Sequence, residues 1–303
     1  MSPIITTEDL SFRYGQQSVV NGLNLSVAQG EIFGFVGPNG AGKSTTIKLL
    51  LGLLTPLSGT VRLFDRNLSN NRIDILRRIG TLVEAPSLYP HLTAEENLEI
   101  VRKVFQVPHS QCDNMLRLTG LLEVKRRKVR ELSLGMKQRL GIAMALVHSP
   151  ELLILDEPIN GLDPEGIQEF RFFLKRIVSE QGVTILISSH ILSELEQLAT
   201  TVGIIALGRM KYQGSLSTLK AQYAGRLVLQ VSSSKRAISI VHSRWSDAVA
   251  GENDSIVFPG RSRTDAPEIL AFMVRKGIDV YGMMFEQPNL ESIFIHVVNS
   301  KKD

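Results

Sequence analysis

The sequence predicts an α/β protein with a buried parallel sheet, followed by a small α+β domain. Two observations lead to this prediction. Short aliphatic runs, such as Ile32–Val36 and residues 152–155, are typical of parallel strands that are buried on both faces. Segments with helical apolar periodicity follow these runs, and alternation of strands and helices indicates a parallel sheet. After Gly225 the character changes to strands around one helix, which indicates the smaller domain.

The elements of the first half follow from turn residues and apolar runs. Turns are expected at residues 14–16 and 29–30, where glycine separates successive apolar runs. A helix follows the third strand and ends near Leu54, and residues 72–150 are predicted to be mainly helical, with breaks at prolines. The strands predicted in this half are residues 4–13, 19–27, 32–36 and 61–64.

The second half continues the alternation before the smaller domain begins. Asp163 and Pro164 open a helix, because aspartate caps helix N-termini and proline fits the first turn, and Gly182 ends that helix. The other predicted strands are residues 152–155, 183–188, 227–231, 256–258 and 278–284, and the other predicted helices are residues 191–198 and 265–276.

Composition excludes several classes of protein. Of the 303 residues, 43% are hydrophobic and 21% are charged, which is ordinary for a globular protein with a sizeable core. Cys112 is the only cysteine, which excludes a disulfide framework and a cysteine metal cluster and fits a reducing compartment. The N-terminus lacks a signal-peptide pattern, and no run reaches the roughly 18 apolar residues of a membrane span. We therefore expect that any membrane-spanning partner is another polypeptide.

A glycine-rich motif directly follows the strand Ile32–Val36. Its letters, GPNGAGKST, fit the phosphate-binding pattern G-x-x-x-x-G-K-[ST]. Such a loop points backbone N–H groups at phosphate oxygens, its lysine neutralises phosphate charge, and its serine hydroxyl can ligate Mg²⁺. The sequence therefore predicts that the chain binds a nucleoside triphosphate. The predicted binding residues are Gly37, Pro38, Asn39, Gly40, Ala41, Gly42, Lys43, Ser44 and Thr45.

Two acids follow the aliphatic run 152–155. A buried strand that ends in Asp156 places a carboxylate at the edge of the sheet beside the phosphate loop, where it can hold Mg²⁺. Glu157 comes next and can orient or deprotonate an attacking water. Without the phosphate loop, the same residues would be interpreted as a solvated acidic turn.

The segment LSLGMKQR, residues 132–139, resembles the signature motif of the nucleotide-binding domains of ABC transporters, which is usually LSGGQ. Ser133 and Gly135 are retained, whereas Leu134 and Met136 depart from the commonest form. The resemblance implies that the serine and glycine contact ATP bound to the opposite subunit. By itself, a Ser-x-Gly at a helix start is equally a plain helix cap.

Other motifs occur in the family's order. The run Asn160-Gly161-Leu162-Asp163 resembles the D-loop, which implies a role in trans for Asp163. His190 resembles the switch histidine at the γ-phosphate, and Tyr14 resembles the aromatic residue that stacks on adenine. The alternatives are a polar surface histidine and a tyrosine that only completes a hairpin turn.

A further departure from the family pattern, besides those in the signature motif, concerns a catalytic position. The family has a glutamine that contacts Mg²⁺, the water and the membrane partner, and Glu84 stands at that place here. The resemblance makes Glu84 a candidate catalytic residue and Mg²⁺ ligand, although a glutamate also repels phosphate if it is unpaired. A glutamate in this loop resembles the subgroup that exports bacitracin or lantibiotics.

The resemblance implies an ATP- and Mg²⁺-dependent ATPase with a P-loop NTPase fold, which has a RecA-like core, an antiparallel β subdomain and a helical subdomain near 85–150. The predicted domains are 1–222 for this cassette and 225–303 for the accessory domain. Two subunits, in a homodimer or heterodimer, would enclose two ATP molecules. A separate integral-membrane permease would hold the chain on the cytoplasmic face of the membrane and dock near Glu84.

Other functions remain open at this stage. A non-transport relative acting in translation or DNA maintenance is one alternative, although the chain has one cassette and no heptads between Lys43 and Ser133. A P-loop kinase or GTPase is another, but the guanine-specifying N-K-x-D pattern is absent. The basic run 125–130 contains no aromatic residue to stack on bases, so we interpret it as a solvated face and predict no nucleic-acid partner.

Overall fold

The computed structural model describes residues 3–83, 85–223, 225–286 and 289–299. These residues divide into two compact units, one that contains the described residues up to Leu216 and one formed by those of Ser217–Asn299. The domain bounds 1–222 and 225–303 stay a prediction. No helix in the described ranges is long and apolar enough to cross a lipid bilayer.

The first unit contains strands and helices in the predicted alternation. Its strands are β1 Pro3–Tyr14, β2 Gln17–Ala28, β3 Ile32–Val36, β4 Ser58–Leu63, β5 Arg66–Asn67, β6 Ile79–Leu82, β7 Leu152–Asp156, β8 Thr184–Ser189, β9 Thr201–Ala206 and β10 Arg209–Ser215. Its helices are α1 Lys43–Leu50, α2 Leu68–Leu76, α3 Ala94–Phe105, α4 Ser110–Leu118, α5 Leu134–Leu146, α6 Pro164–Gln181 and α7 Leu192–Leu198. A further helix, α8 Leu216–Gln222, begins at the last residue of this unit.

The central sheet has the strand order β10-β9-β3-β8-β7-β6. Its strands are parallel except for β10, which runs antiparallel to β9. Every residue of β3, β7 and β8 is buried, as expected for strands covered on both faces. In register, Val36 pairs with Ser189, and Asp156 pairs with Ser188. Strands β3, β8 and β7 therefore end side by side at one edge of the sheet.

A second sheet, of antiparallel strands in the order β2-β1-β4-β5, shares a core with the central sheet. Fully buried Ile5 and Leu63 from this sheet join Phe33 of β3 and Ile47 of α1 in one hydrophobic cluster. Burying aliphatic and aromatic side chains in this way is the main stabilising contribution to such a fold. The cluster fixes α1, and hence the loop before it, against both sheets.

The region 72–150 is less helical than the sequence predicted. Residues Ile79–Leu82 form β6, which pairs with β7 at the end of the central sheet. Four residues are too few for a periodicity to separate strand from helix, and pairing with β7 decides the outcome. Helices α3, α4 and α5 do form, and Thr93 with Glu96 makes a capping box at the start of α3.

The second unit is the predicted α+β arrangement. It contains β11 Arg226–Val231, α9 Ser234–Val241, β12 Val249–Ala250, β13 Ser255–Pro259, α10 Ala266–Arg275, β14 Val280–Glu286 and α11 Leu290–Asn299. The strands form an antiparallel sheet in the order β12-β13-β11-β14. Leu229, Ile256, Val241 and Ile269 join strands and helices in its core. The sequence did not predict α9 or α11.

Candidate nucleotide-hydrolysis site

The phosphate loop runs from the end of β3 to the start of α1. Gly42 precedes the helix at φ 106°, a left-handed conformation that favours glycine. A Cβ atom at Gly42 would lie 2.7 Å from the Val19 carbonyl oxygen, and one at Gly37 would lie 2.5 Å from that of Ile205. Close backbone contacts therefore require glycine at both positions, and the left-handed backbone conformation requires it at Gly42 as well.

Lys43 is the first residue of α1, and its side chain is buried beneath the loop. Its Nζ donates hydrogen bonds to the carbonyl oxygens of Gly37, at 2.8 Å, and Pro38, at 3.4 Å. The same ammonium lies 3.5 Å from Oε1 of Glu157. The loop thus holds one positive charge at the helix N-terminus, where exposed N–H groups also favour anions.

The predicted phosphate-loop residues from Asn39 to Thr45 line a cavity of about 380 Å³, whereas Gly37 and Pro38 do not contribute to its lining. Glu157 from the end of β7 and His190 from the end of β8 line the same cavity. The parallel register explains this meeting, because the strands that carry these residues flank each other beside β3. The lining consists of Val19, Asn39, Gly40, Ala41, Gly42, Lys43, Ser44, Thr45, Glu157, Asn160 and His190.

Glu157 contacts both a loop residue and the predicted switch histidine. His190 Nδ1 lies 2.7 Å from Oε2 of Glu157, and the His190 backbone N–H donates to the same oxygen at 3.3 Å. The other carboxylate oxygen faces Lys43. The carboxylate therefore lies between two nitrogen groups at the phosphate cavity, in a position from which it can take a proton from water.

Asp156 is buried, and its Oδ1 accepts a hydrogen bond of 2.5 Å from the Ser188 hydroxyl. This contact leaves Oδ2 as the oxygen that can take a cation. The described residues contain no group of three His, Cys, Asp or Glu side chains that could hold a metal ion unaided. A buried carboxylate with the Ser44 hydroxyl, completed by phosphate and water oxygens, is nevertheless a donor set that suits Mg²⁺.

The signature residues lie at a second cavity. Ser133 caps α5 by accepting a hydrogen bond of 3.2 Å from the Met136 N–H, and Asp163 caps α6 through the Gly166 N–H at 2.9 Å. Ser133, Gly135 and Asp163 line a cavity of about 460 Å³ that shares no lining residue with the phosphate-loop cavity. Within one chain, these residues are brought to each other but not to the phosphate loop.

Tyr14 and Glu84 are the two remaining predicted site residues. Tyr14 ends β1, is 50% exposed and makes an edge contact with Phe12 at a ring distance of 4.9 Å. It does not line the phosphate-loop cavity. Glu84, the predicted catalytic residue and second Mg²⁺ ligand, lies outside the described residues.

The sequence analysis missed Ser188. Its hydroxyl joins the two acids, donating to Asp156 and accepting a hydrogen bond of 2.9 Å from the Glu157 backbone N–H. A signal was available, because Ser188 is a polar residue near the end of a buried aliphatic strand, two positions before His190. The sequence alone does not show that Ser188 lies beside Asp156, and only the pairing of β8 with β7 does so.

Comparison with known proteins gives consistent matches. The family profile described as "ABC transporter" matches residues 20–160. A bacitracin transport ATP-binding protein of Bacillus licheniformis is 43% identical over 98% of both chains. A lantibiotic transport ATP-binding protein of Streptococcus pyogenes is 44% identical, covering 70% of this chain and 93% of its own length. The solved structure of cbiO1 from Clostridium perfringens, part of the ABC transporter complex cbiONQ, is 27% identical with a TM-score of 0.68, covering 81% of this chain and 97% of its own.

Proposed function

We propose, from the premise that this chain belongs to the family of ABC transporter ATP-binding proteins, that it powers a separate membrane permease that exports an antimicrobial peptide or a drug. As a member of the family, the chain is an ATPase. The observation that carries the export proposal is the 43% identity with the bacitracin transport protein over 98% of both chains. That likeness includes residues beyond the cassette, whereas the lantibiotic relative covers 70% of this chain.

The phosphate-loop cavity supports a specific division of roles. Lys43 neutralises charge on the β- and γ-phosphates, and the loop N–H groups bind their oxygens. Ser44 and Asp156 would hold Mg²⁺, and the chemistry that this ion would supply when bound is neutralisation of phosphate charge. Glu157 accepts the proton of the attacking water, and His190 holds that carboxylate through the 2.7 Å contact. Tyr14, which is half exposed at the hairpin, would stack on adenine.

Two copies of the chain, or one copy and a relative, complete each site in this proposal. The separation of the Ser133 cavity from the phosphate-loop cavity supports it, because the N-terminus of α5 is unused by its own phosphate loop. A second subunit can bring its Ser133, Gly135 and Asp163 to the γ-phosphate. ATP then favours the closed pair because it binds that state more tightly than the open one.

An apolar cavity of about 500 Å³ supports a docking site for the permease. It lies beside the sheet edge formed by β6, and Val101 and Phe105 of α3 and Met144 of α5 contribute side chains to it. Pro86 also lines it, two residues after Glu84 in the chain. A helix of the permease that inserts here would bury apolar surface and hold the chain on the cytoplasmic face of the membrane.

Expression in a bacitracin-sensitive Bacillus host tests the proposal. The chain expressed with its permease should raise tolerance to bacitracin or to a lantibiotic, whereas either protein alone, or the pair with Lys43→Ala, should not. If the permease stimulates ATP hydrolysis but tolerance to both compounds is unchanged, the subunit role stands and the export of antimicrobials is wrong. Ribosomes or DNA in place of the permease would instead support the alternative in translation or DNA maintenance, which the relatives do not favour.

A further inference from the structure

Ser188 lies at the point where the two site acids meet the neighbouring strand. It is fully buried near the end of β8 and pairs with Asp156 across the sheet. The hydroxyl has one proton, which it donates to Oδ1 of Asp156 at 2.5 Å. Its oxygen accepts from the backbone N–H of Glu157 at 2.9 Å. A single buried side chain thus fixes both acids at once.

The Glu157 backbone needs such support. Its φ of 50° is left-handed, a conformation that costs free energy in residues other than glycine and asparagine. The Glu157 N–H is held by two acceptors of the same residue, the Ser188 hydroxyl and, at 3.2 Å, the Ser188 carbonyl oxygen. This backbone turn directs the Glu157 carboxylate toward Lys43 and His190. Residues in unusual backbone conformations are kept at functional sites when their surroundings determine them in this way.

We propose that Ser188 is a positioning residue for ATP hydrolysis. Its hydroxyl orients the Asp156 carboxylate so that Oδ2 faces the cation, and it holds the Glu157 backbone so that the carboxylate faces the attacking water. The proposal rests on the roles given above to Asp156 and Glu157. It assigns Ser188 no contact with nucleotide, so nucleotide affinity without Mg²⁺ should not depend on it.

Two substitutions of nearly equal shape distinguish a positioning role of the Ser188 hydroxyl from an effect on packing. Threonine and valine differ only in a hydroxyl in place of a methyl group, so Ser188→Thr retains both hydrogen bonds and Ser188→Val removes them. Both substitutions add similar volume to the buried strand end, so strain from overpacking affects them alike. Ser188→Ala, which adds no volume, provides a third variant if both larger residues disturb folding.

The purified chain with its permease is assayed for kcat, for the Mg²⁺ concentration at half-maximal rate, and for ATP affinity in EDTA. Relative to Ser188→Thr, Ser188→Val should lower kcat by about tenfold, the size expected for a lost hydrogen bond to a charged group, and should raise the Mg²⁺ requirement. ATP affinity in EDTA should be equal in all variants. Equal kcat and Mg²⁺ requirement in the threonine and valine variants would overturn the proposal, as would parallel loss of ATP affinity in EDTA.

A separate variant distinguishes failure of this inference from failure of the proposed function. Glu157→Gln with Ser188 intact tests the proton acceptor alone. If Glu157→Gln hydrolyses ATP at the original rate, the role of Glu157 is wrong whatever Ser188 does. If Glu157→Gln is inactive and Ser188→Val is as active as Ser188→Thr, the site assignment stands and only the positioning role of Ser188 is wrong.

Discussion

Lys43 Nζ lies 3.5 Å from Oε1 of Glu157, so the loop lysine and the acid at the end of β7 form an ion pair at the phosphate cavity. The pair joins the start of α1, which follows β3, to the end of β7, which lies two strands from β3 in the sheet. Nucleotide phosphates that reach Lys43 compete with Glu157 for the same positive charge. In the proposed mechanism, binding of ATP would thereby be coupled to release of the Glu157 carboxylate.

Removal of the Lys43 charge should abolish tight ATP binding. Lys43→Ala deletes the charge that faces the β- and γ-phosphates, and affinity for ATP should fall by about 100-fold, as for the loss of charge-assisted hydrogen bonds. Calorimetry or a fluorescent ATP analogue measures this change. Lys48→Ala on the same helix is the control, because Lys48 does not line the cavity and its removal should leave affinity nearly unchanged.

Neutralising Glu157 should separate ATP binding from hydrolysis. Glu157→Gln removes the proton acceptor and should lower the hydrolysis rate by about 10²- to 10⁴-fold, the range found for general bases, with ATP still bound. The variant should then form a stable dimer with saturating ATP in gel filtration with light scattering, and it should be monomeric without nucleotide. Adding Gly135→Asp, which places a negative charge where the second subunit meets phosphate, should prevent the dimer. A Glu157→Gln chain that stays monomeric at saturating ATP contradicts the shared site.

A charge in the apolar cavity should block docking without affecting the isolated ATPase. Val101→Glu places a carboxylate in the cavity and should strongly reduce co-purification with the permease, because an unpaired charge is costly to bury. Val104→Glu is the matched control on the same helix, since Val104 is 73% exposed and does not line the cavity. Equal retention of the permease by both variants would place the docking site elsewhere.

Part of the stability should be lost at acidic pH through His148. Burial lowers the pKa of His148 below its ordinary value, while Nε2 contacts the Ile79 carbonyl oxygen at 3.2 Å and the ring stacks on Phe105. The unfolded chain binds the proton more readily than the folded chain, so this contribution to stability is fully present above about pH 6.5 and declines as the pH falls below that value. Urea denaturation between pH 7.5 and 5.5 measures it.

His148→Phe removes the titrating group and should flatten the pH dependence of the unfolding free energy in this range. His109→Gln is the comparison, because the His109 side chain is exposed. A pH profile that is the same in His148→Phe and in the original chain would show that other groups set the acid sensitivity. The stacking contact with Phe105 is compatible with the phenyl replacement, which limits any change in packing.

The parts of the fold and site that the sequence predicted are those with local signals. The phosphate loop, Asp156 and Glu157 could be predicted because their spacing and the strands before them lie within short segments. Strand β6 and Ser188 were missed for a common reason. A segment of four residues with two aliphatic side chains does not identify a strand, and a serine hydroxyl does not identify its acceptor, until pairing with β7 places both. The sequence likewise could not show that Ser133 lies in a different cavity from the phosphate loop of its own chain, because this depends on the tertiary fold.

The position of β8 between β3 and β7 has a consequence for synthesis of the chain. Until Ser189 has left the ribosome, the strand before the phosphate loop and the strand that ends in Asp156 have no shared neighbour to align them. Contacts of such long sequence separation form late, because the loops that they close are long. In a nascent chain that has released only the glycine-rich loop, this loop and the two acids are therefore not yet aligned, and they become aligned only when β8 is inserted between β3 and β7.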